Sequence, residues 1–269
     1  MNAPSGAVEG AGRVRSASGY ERRIGRYSMP LGVAFAEALG VRAGQRILDV
    51  GCGSGALTVA LVTRCGTRGV VGVDPEEAGL RSCAGRAPGV ALLRGVAERL
   101  PLASRAFDVV AAQLVLGLVD DPAAALAEMR RVCRPGGTVA GCVWDFAGGM
   151  TVLRAFWDAA VEVAPSATEH DQARAQRLTD PSSLAAAWHA AGLTGVAAEP
   201  IVVSATYADL EDLWQPLTVP DGGPGRFLAL LTAAEREQIR GGLVGRLGHP
   251  AGPFSLTARA WSVRGTVPA

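Results

Sequence analysis

Three glycines and two carboxylates are the densest concentration of potential chemistry in the chain. Gly51, Gly53 and Gly55 alternate through D-V-G-C-G-S-G, with Asp49 ahead of the first glycine and Cys52 inside the turn. Asp74 follows 23 residues after Gly51, directly before Pro75. A turn without side chains lets backbone N–H groups approach a ligand, and a helix starting behind it aims its first amides at the same place. A carboxylate at the end of the next strand can accept hydrogen bonds from both hydroxyls of a ribose. The chemistry implied is the gripping of a nucleoside. The spacing alone does not choose which one, because Gly51, Gly53 and Ala56 also satisfy the dinucleotide pattern G-x-G-x-x-G/A.

Such a site needs a strand before the turn and a helix after it. Ile47, Leu48 and Val50, interrupted only by Asp49, predict a buried parallel strand over Arg46–Val50. Ala56–Val62 has helical composition and no breaker. Further strands are predicted at Gly69–Val73, Val90–Leu93, from Phe107 to Gln113, and at Thr138–Trp144. Asp121-Pro122 starts a helix with Leu126, Met129, Val132 and Cys133 on one face and Arg130 and Arg131 solvated. The stretch R-P-G-G at 134–137 stops it. Helices follow at Val152–Val163 and Leu184–Ala191, with a polar stretch containing His170 between them. Val196–Ser204 and Phe254–Val263 are expected as strands six and seven, antiparallel neighbours separated by a helical insertion. At the other end, residues 1–18 are expected as a disordered tail. Tyr20–Gly40 predicts a short helix and then a second one, capped by Ser28 with Pro30 in its first turn.

Composition narrows the function. Of 269 residues 49% are apolar, enough for a sizeable core, and the formal net charge is +1. That balance excludes a basic field for nucleic acid. All 26 basic residues are Arg, the usage of a GC-rich bacterial genome. Five cysteines without C-x-x-C or zinc spacing predict reduced, buried thiols and no metal. The N-terminus lacks a signal-peptide core, and the longest apolar run, Val109–Val119, is too short to span a bilayer. The expectation is a cytoplasmic protein acting on a small molecule, without nucleic acid or membrane; a homodimer remains open.

The motif D-V-G-C-G-S-G resembles motif I of the class I S-adenosylmethionine (SAM) methyltransferases. Other stretches resemble that family in the order it requires. Y-E-R-x-x-G-R-Y-S at 20–28 is similar to the lid of many small-molecule members. G-V-A-E-R-L-P-L at 95–102 resembles the loop that holds adenine, with Val96 where the family usually has Asp. F-D-V-V at 107–110 and R-V-C-R-P-G-G complete the set. The resemblance is to the ubiquinone-biosynthesis-like (type 11) group and covers Tyr20–Phe146; the C-terminal third matches by architecture only.

The resemblance implies an α/β fold: a seven-stranded, mostly parallel Rossmann-like sheet with an antiparallel last strand. It implies a single domain over 19–269, with an N-terminal lid at 19–40 and a SAM-binding core at 41–146. Substrate-cap segments occupy 147–192 and 205–252, the latter inserted before the last strand. SAM would be the cofactor and S-adenosylhomocysteine the product. Cofactor contacts would come from Tyr20, Arg26, Tyr27, Ser28, Asp49, Gly51, Cys52, Gly53, Asp74, Pro75, Ala97, Glu98 and Gln113. Arg26 would face the SAM carboxylate and Gln113 its amino group. With Val96 replacing Asp, the Ala97 backbone and the Glu98 carboxylate are left for adenine. Leu114–Val119 would lie near the transferred methyl. Trp144, Phe146, Trp157 and Trp214 could line the acceptor pocket or pack the core. Tyr20, Asp145 and His170 are the candidate bases or orienters. The implied activity is methyl transfer to O, N or C of a small molecule, an aromatic natural product. The alternatives are an NAD(P)-dependent Rossmann oxidoreductase, against which the missing Lys of a Tyr-x-x-x-Lys pair counts, and a non-catalytic SAM-binding module.

Overall fold

The computed structural model describes residues 17–175, 178–220 and 222–269. Apart from Ala17 and Ser18, which open the first helix, the expected tail lies outside the described residues. The first half alternates: α1 (Ala17–Ala38), β1 (Ile47–Val50), α2 (Ala56–Cys65), β2 (Val70–Asp74), α3 (Glu77–Arg86), β3 (Ala91–Arg94), β4 (Phe107–Gln113), α4 (Pro122–Val132) and β5 (Cys133–Trp144). Four helices follow, α5 (Thr151–Val163), α6 (Ala167–His170), α7 (Gln172–Ala175) and α8 (Pro181–Ala190), and then β6 (Thr194–Tyr207). The insertion is α9 (Leu210–Thr218), α10 (Gly223–Leu228) and α11 (Ala233–Arg246), closed by β7 (Phe254–Thr266).

The strands form one seven-stranded sheet in the order β3-β2-β1-β4-β5-β7-β6. β1 to β5 are mutually parallel where they pair, and β7 runs antiparallel to both β5 and β6. From β1 the chain builds outward to β3 and then returns to place β4 on the other side. That reversal opens a crevice at the carboxyl ends of β1 and β4, where open α/β sheets bind ligands. The glycine turn and Gln113 end on the two sides of it.

Strand alternation sorts the core onto two faces. Ile47, Val109, Ala111, Ala140 and Trp144 pack with α1, α2, α5 and the inserted helices. Leu48, Val110, Ala112, Val139 and Val143 pack with α4 and α8. β1 is buried throughout, as a central parallel strand must be. The edge strand β6 carries Pro200, which only an edge or a bulge tolerates. Among the described residues no helix is long and apolar enough to cross a membrane.

Two expectations are corrected. α1 is one helix running through Pro30, instead of a break at Ser28. Proline inside a helix costs about 3 kcal/mol. Tyr27, Leu31 and Phe35, all fully buried, continue one apolar face across the proline, and that packing outweighs the lost bond. R-P-G-G lies within β5, which starts at Cys133 with a register shift between Phe107 and Val109. Asp108 holds this start by accepting from the Arg46 amide at 2.6 Å and from Arg134 Nε at 2.6 Å.

α1 lies unusually close to α2. A Cβ on Gly32 would stand 2.4 Å from the Ala56 carbonyl oxygen. In a solvent-facing helix, glycine to alanine stabilises by up to about 1 kcal/mol. Here overpacking against backbone should reverse the sign, so Gly32→Ala is expected to destabilise by roughly 1–3 kcal/mol. Gly241→Ala on α11, where a Cβ meets nothing within 4 Å, should stabilise. Urea unfolding of the two variants checks the opposition.

Candidate active site

The glycine turn hangs from the end of β2. The amides of Gly51 and Cys52 donate to the Val73 carbonyl at 2.7 and 3.0 Å. The Gly53 amide donates to Asp74 Oδ2 at 2.8 Å, and the Glu76 amide to Asp74 Oδ1 at 2.8 Å. Burial pushes the Asp74 carboxyl upward, and these two amide bonds oppose the shift. Gly51, Gly53 and Gly55 all have left-handed φ, at 69°, 49° and 94°. Their surroundings differ. A Cβ on Gly51 would collide with Val115 at 2.3 Å and one on Gly55 with Cys83 Sγ at 2.9 Å, whereas one on Gly53 meets nothing within 4 Å. Gly53 therefore faces open space, on the side left for a ligand. Pro75 follows directly, its carbonyl accepting from Arg94 Nε at 3.1 Å.

A second group of polar atoms lies where β1 and β4 face α1 and α2. Asp49 is 1% exposed and accepts from the Thr58 hydroxyl at 2.6 Å, while its Oδ1 has no partner among the described residues. Burial lifts the Asp49 carboxyl to about 8. Gln113 Nε2 donates to the Ser28 carbonyl at 3.0 Å, leaving Gln113 Oε1 and Ser28 Oγ buried without partners. Asp49 and Gln113 share a sheet face by the β1–β4 register, in which Asp49 pairs with Ala111. Leu114, the next residue, has a φ of 63°, a left-handed conformation that costs a non-glycine residue of order 1–3 kcal/mol. Its amide donates to the Cys142 carbonyl at 2.8 Å.

The adenine-type loop is pinned from below. Glu128 accepts from the Leu100 amide at 2.8 Å, and Arg131 donates to the Leu100 and Leu102 carbonyls at 3.1 and 2.9 Å. Arg131, expected to be solvated, is thus a bracket for the loop. Ala97 is buried within it. Glu98 Oε1 accepts from the Asp120 amide at 3.1 Å, tying this loop to the one before α4.

The lid residues have other partners than expected. Arg26 makes a two-pronged pair with Asp212 at 2.9 and 3.0 Å and lies 4.1 Å above the Tyr207 ring. Asp212 is held down to about 2, chiefly by the Arg26 hydrogen bond. The Tyr27 hydroxyl meets that of Tyr207 at 3.1 Å. Arg26 and Tyr27 therefore bind α1 to α9 and to the end of β6. The Tyr20 side chain lies outside the described residues, although its backbone is helical.

Of the candidate bases, Asp145 has four hydrogen bonds of its own. Its Oδ2 accepts from Arg259 Nε and a terminal guanidinium nitrogen at 2.8 and 2.5 Å, and its Oδ1 from the Ala147 and Gly148 amides at 3.1 and 3.0 Å. A carboxylate so occupied and 4% exposed organises the turn after β5. His170 is exposed at the end of α6, its ring 5.2 Å from that of Phe227. Trp144, Phe146, Trp157 and Trp214 are buried in the core, so packing is their observed role. Thr58, Glu128, Asp212 and Arg259 hold these segments without having been singled out in the sequence, while Val115, within the expected Leu114–Val119 stretch, backs Gly51. No local signal could have found Arg259, which lies 114 residues from Asp145.

The residues fit a nucleoside with a cationic amino-acid tail. Gly53 opens onto unfilled space beside Asp74, suiting a sugar. Of the four buried partnerless side-chain atoms among the described residues, Asp49 Oδ1, Gln113 Oε1 and Ser28 Oγ belong to this group, and the last two can accept from an ammonium group. Among the described residues no cluster of ligands for a metal occurs. A groove of about 1010 Å³ between α4, α8 and Val267–Ala269 meets these residues only at Arg131.

Two outcomes follow. The folded chain holds the Asp49 proton, whereas the unfolded chain, at the ordinary value of 3.8, releases it. Stability should therefore fall as pH rises from about 4 to about 8, by up to about 1.4 kcal/mol per pH unit, and level off above. Asp49→Asn should flatten that part of the profile; urea midpoints from pH 4.5 to 9 check it. Arg26→Lys loses the planar fork. Hydrogen exchange should quicken in α1 and α9 together, while global stability changes by less than about 1 kcal/mol.

Residues 48–141 match the methyltransferase-domain family. The ubiquinone/menaquinone biosynthesis C-methyltransferase UbiE of Cupriavidus metallidurans is 37% identical over 123 residues, 44% of this chain and 50% of that protein. The demethylmenaquinone methyltransferase of Staphylococcus aureus is 40% identical over 105 residues, 38% of this chain and 44% of that protein. The matches span about half the length of these curated relatives. A putative methyltransferase from Bacillus halodurans superposes with a TM-score of 0.56 at 17% identity, covering 88% of this chain and 99% of that one. Phosphoethanolamine N-methyltransferase 2 of Haemonchus contortus, solved with S-adenosyl-L-methionine, superposes with a TM-score of 0.57 at 17% identity, covering 99% of this chain and 61% of that one. Motif order, strand order and family match agree: residues 48–141 are similar to a methyltransferase domain and are set in a seven-stranded Rossmann-like sheet.

Proposed function

We propose that the chain transfers the methyl group of SAM to a small molecule with an aromatic or quinone-type ring. The observation that carries this reading is the set of buried polar atoms without partners, Asp49 Oδ1, Gln113 Oε1 and Ser28 Oγ, beside a glycine turn open at Gly53. Asp74 would hold the ribose, the amides around Gly53 and Pro75 the nucleoside edge, and Ala97 the adenine side. Cys52 contributes its backbone to the turn. Gln113 and Ser28 would receive the ammonium group, with Asp49 beneath them. When bound, SAM supplies a methyl on a sulfonium, already activated for attack.

The chain's own work is then alignment and exclusion of water. Arg26–Asp212 and Tyr27–Tyr207 clamp the lid helix against the cap, which supports an enclosed crevice. With Asp145 occupied by Arg259, the geometry favours an acceptor that brings its own nucleophilic atom over one needing a strong base. The relatives named for quinone biosynthesis support a ring acceptor; the choice among C, O and N follows the acceptor's own nucleophile. Residues 19–40 act in this reading as lid, and α5–α7 with α9–α11 as cap.

Calorimetry should detect S-adenosylhomocysteine binding to the wild-type chain and none of NADH. Asp74→Ala and Gln113→Ala should each weaken it at least tenfold, about 1.4 kcal/mol. With SAM saturating, Tyr20→Phe and His170→Ala should keep turnover within about threefold on a ring acceptor found by methyl-label transfer. A large loss in either would restore a dedicated base.

A further inference from the structure

We propose that the groove between α4 and α8 binds an amphiphile with an acyl chain and a carboxylate head, on a surface separate from the cofactor crevice. Its volume is about 1010 Å³. Small-molecule sites occupy roughly 300–1,000 Å³, so the groove has room for a chain of medium length. The proposal does not depend on the methyltransferase reading.

Alanines make the gap. α4 presents Ala123 and Ala127 to it, and α8 presents Ala187, Ala190 and Ala191. Side chains this short leave the space between the two helices unfilled. Leu126, Cys133 and Val267, all buried, form the floor. Leu178 and Pro268 add further apolar surface. Methylenes laid against this lining are removed from water, which supplies the non-directional part of the affinity.

Charge at one end specifies the head group. Arg105, Arg130 and Arg131 all line the groove. The Arg105 amide donates to the Arg131 carbonyl at 2.9 Å, which sets Arg105 beside the last turn of α4. A Cβ on Gly192 would stand 3.2 Å from a terminal nitrogen of Arg130, so that guanidinium reaches from α4 to the end of α8. Arg131 has no donor to spare. It serves both Glu128 oxygens, the Leu100 and Leu102 carbonyls and Ser104 Oγ. Arg105 and Arg130 are exposed, and neither guanidinium has an ion pair or hydrogen bond among the described residues. Asp121, the acidic side chain of the lining, lies at the opposite end of α4 and is occupied in capping the Ala123 and Ala124 amides. About 12 Å of helix separates Pro122 from Arg130. The groove is therefore apolar along its length and cationic at one end, the complement of a fatty carboxylate. A guanidinium fork can hold both oxygens of such a head.

The test is calorimetry of the full chain with sodium decanoate below its micellar concentration, at low salt. The expected result is saturable binding at one site per chain. Decanol, with the same chain length and no charge, should bind at least tenfold more weakly, and octanoate roughly tenfold more weakly. Arg105 has a φ of 57°, in the region that favours glycine, so Arg105→Gly removes the charge without straining the backbone. That variant should bind decanoate at least tenfold more weakly while its thermal midpoint stays near that of the wild type. Ala190→Trp, at an exposed position of the wall, should abolish decanoate binding. Both variants should bind S-adenosylhomocysteine as the wild type does. Absence of saturable binding, equal affinity for decanol, or full decanoate affinity in either variant overturns the proposal. So does a wild-type dimer that Ala190→Trp dissociates, which would make the groove an interface between copies of the chain.

Discussion

The carboxylate of Asp74 joins two pieces of chain that would otherwise be independent. One oxygen holds the amide of Gly53 in the turn after β1, and the other holds the amide of Glu76 ahead of α3. Together with the Val73 carbonyl, which receives Gly51 and Cys52, it suspends the turn from the neighbouring strand. A turn of left-handed glycines has no side chains with which to stiffen itself. Its rigidity has to come from the backbone groups it meets, and parallel pairing of β1 with β2 is what brings those groups within reach.

The rest of the site follows from the same pairing carried one strand further. β4 lies on the other side of β1, so Gln113 ends opposite the turn. α1 then crosses this edge close to α2, permitted by the missing side chain of Gly32. Gln113 reaches the Ser28 carbonyl and so ties α1 to the carboxyl end of β4. Buried polar atoms left without partners under this helix are costly in a closed core, typically about 1–3 kcal/mol each. Their presence is understandable when a cationic ligand supplies the donors.

Ion pairs act here mainly as positioning devices. Arg259 gives Asp145 two hydrogen bonds and so shapes the turn after β5. Arg26 and Asp212 fasten α1 to α9, and Arg131 and Glu128 hold the loop at Leu100. The first two pairs join segments far apart in the chain, and the third, within α4, reaches across to the Leu100 loop. Partly exposed pairs contribute little to global stability, yet their planar geometry selects one arrangement of loops among several.

The sequence by itself determined the sheet, the glycine turn and the acid after β2, because each is a local pattern. Alternation and apolar runs specify strands, glycine at three alternate positions specifies a turn, and Asp121-Pro122 specifies a helix start that the Asp121 side chain indeed caps. Tertiary structure decided what the charged and aromatic side chains do. Arg26 was legible as a lid residue, but its partner Asp212 lies 186 positions away. Asp145 looked available as a base until β7 brought Arg259 beside it, and Pro30 looked like a helix break until Tyr27, Leu31 and Phe35 were buried together. Local propensities reach only a few residues along the chain, whereas a carboxylate's partner, and with it its chemistry, is chosen by whichever segment the fold packs against it.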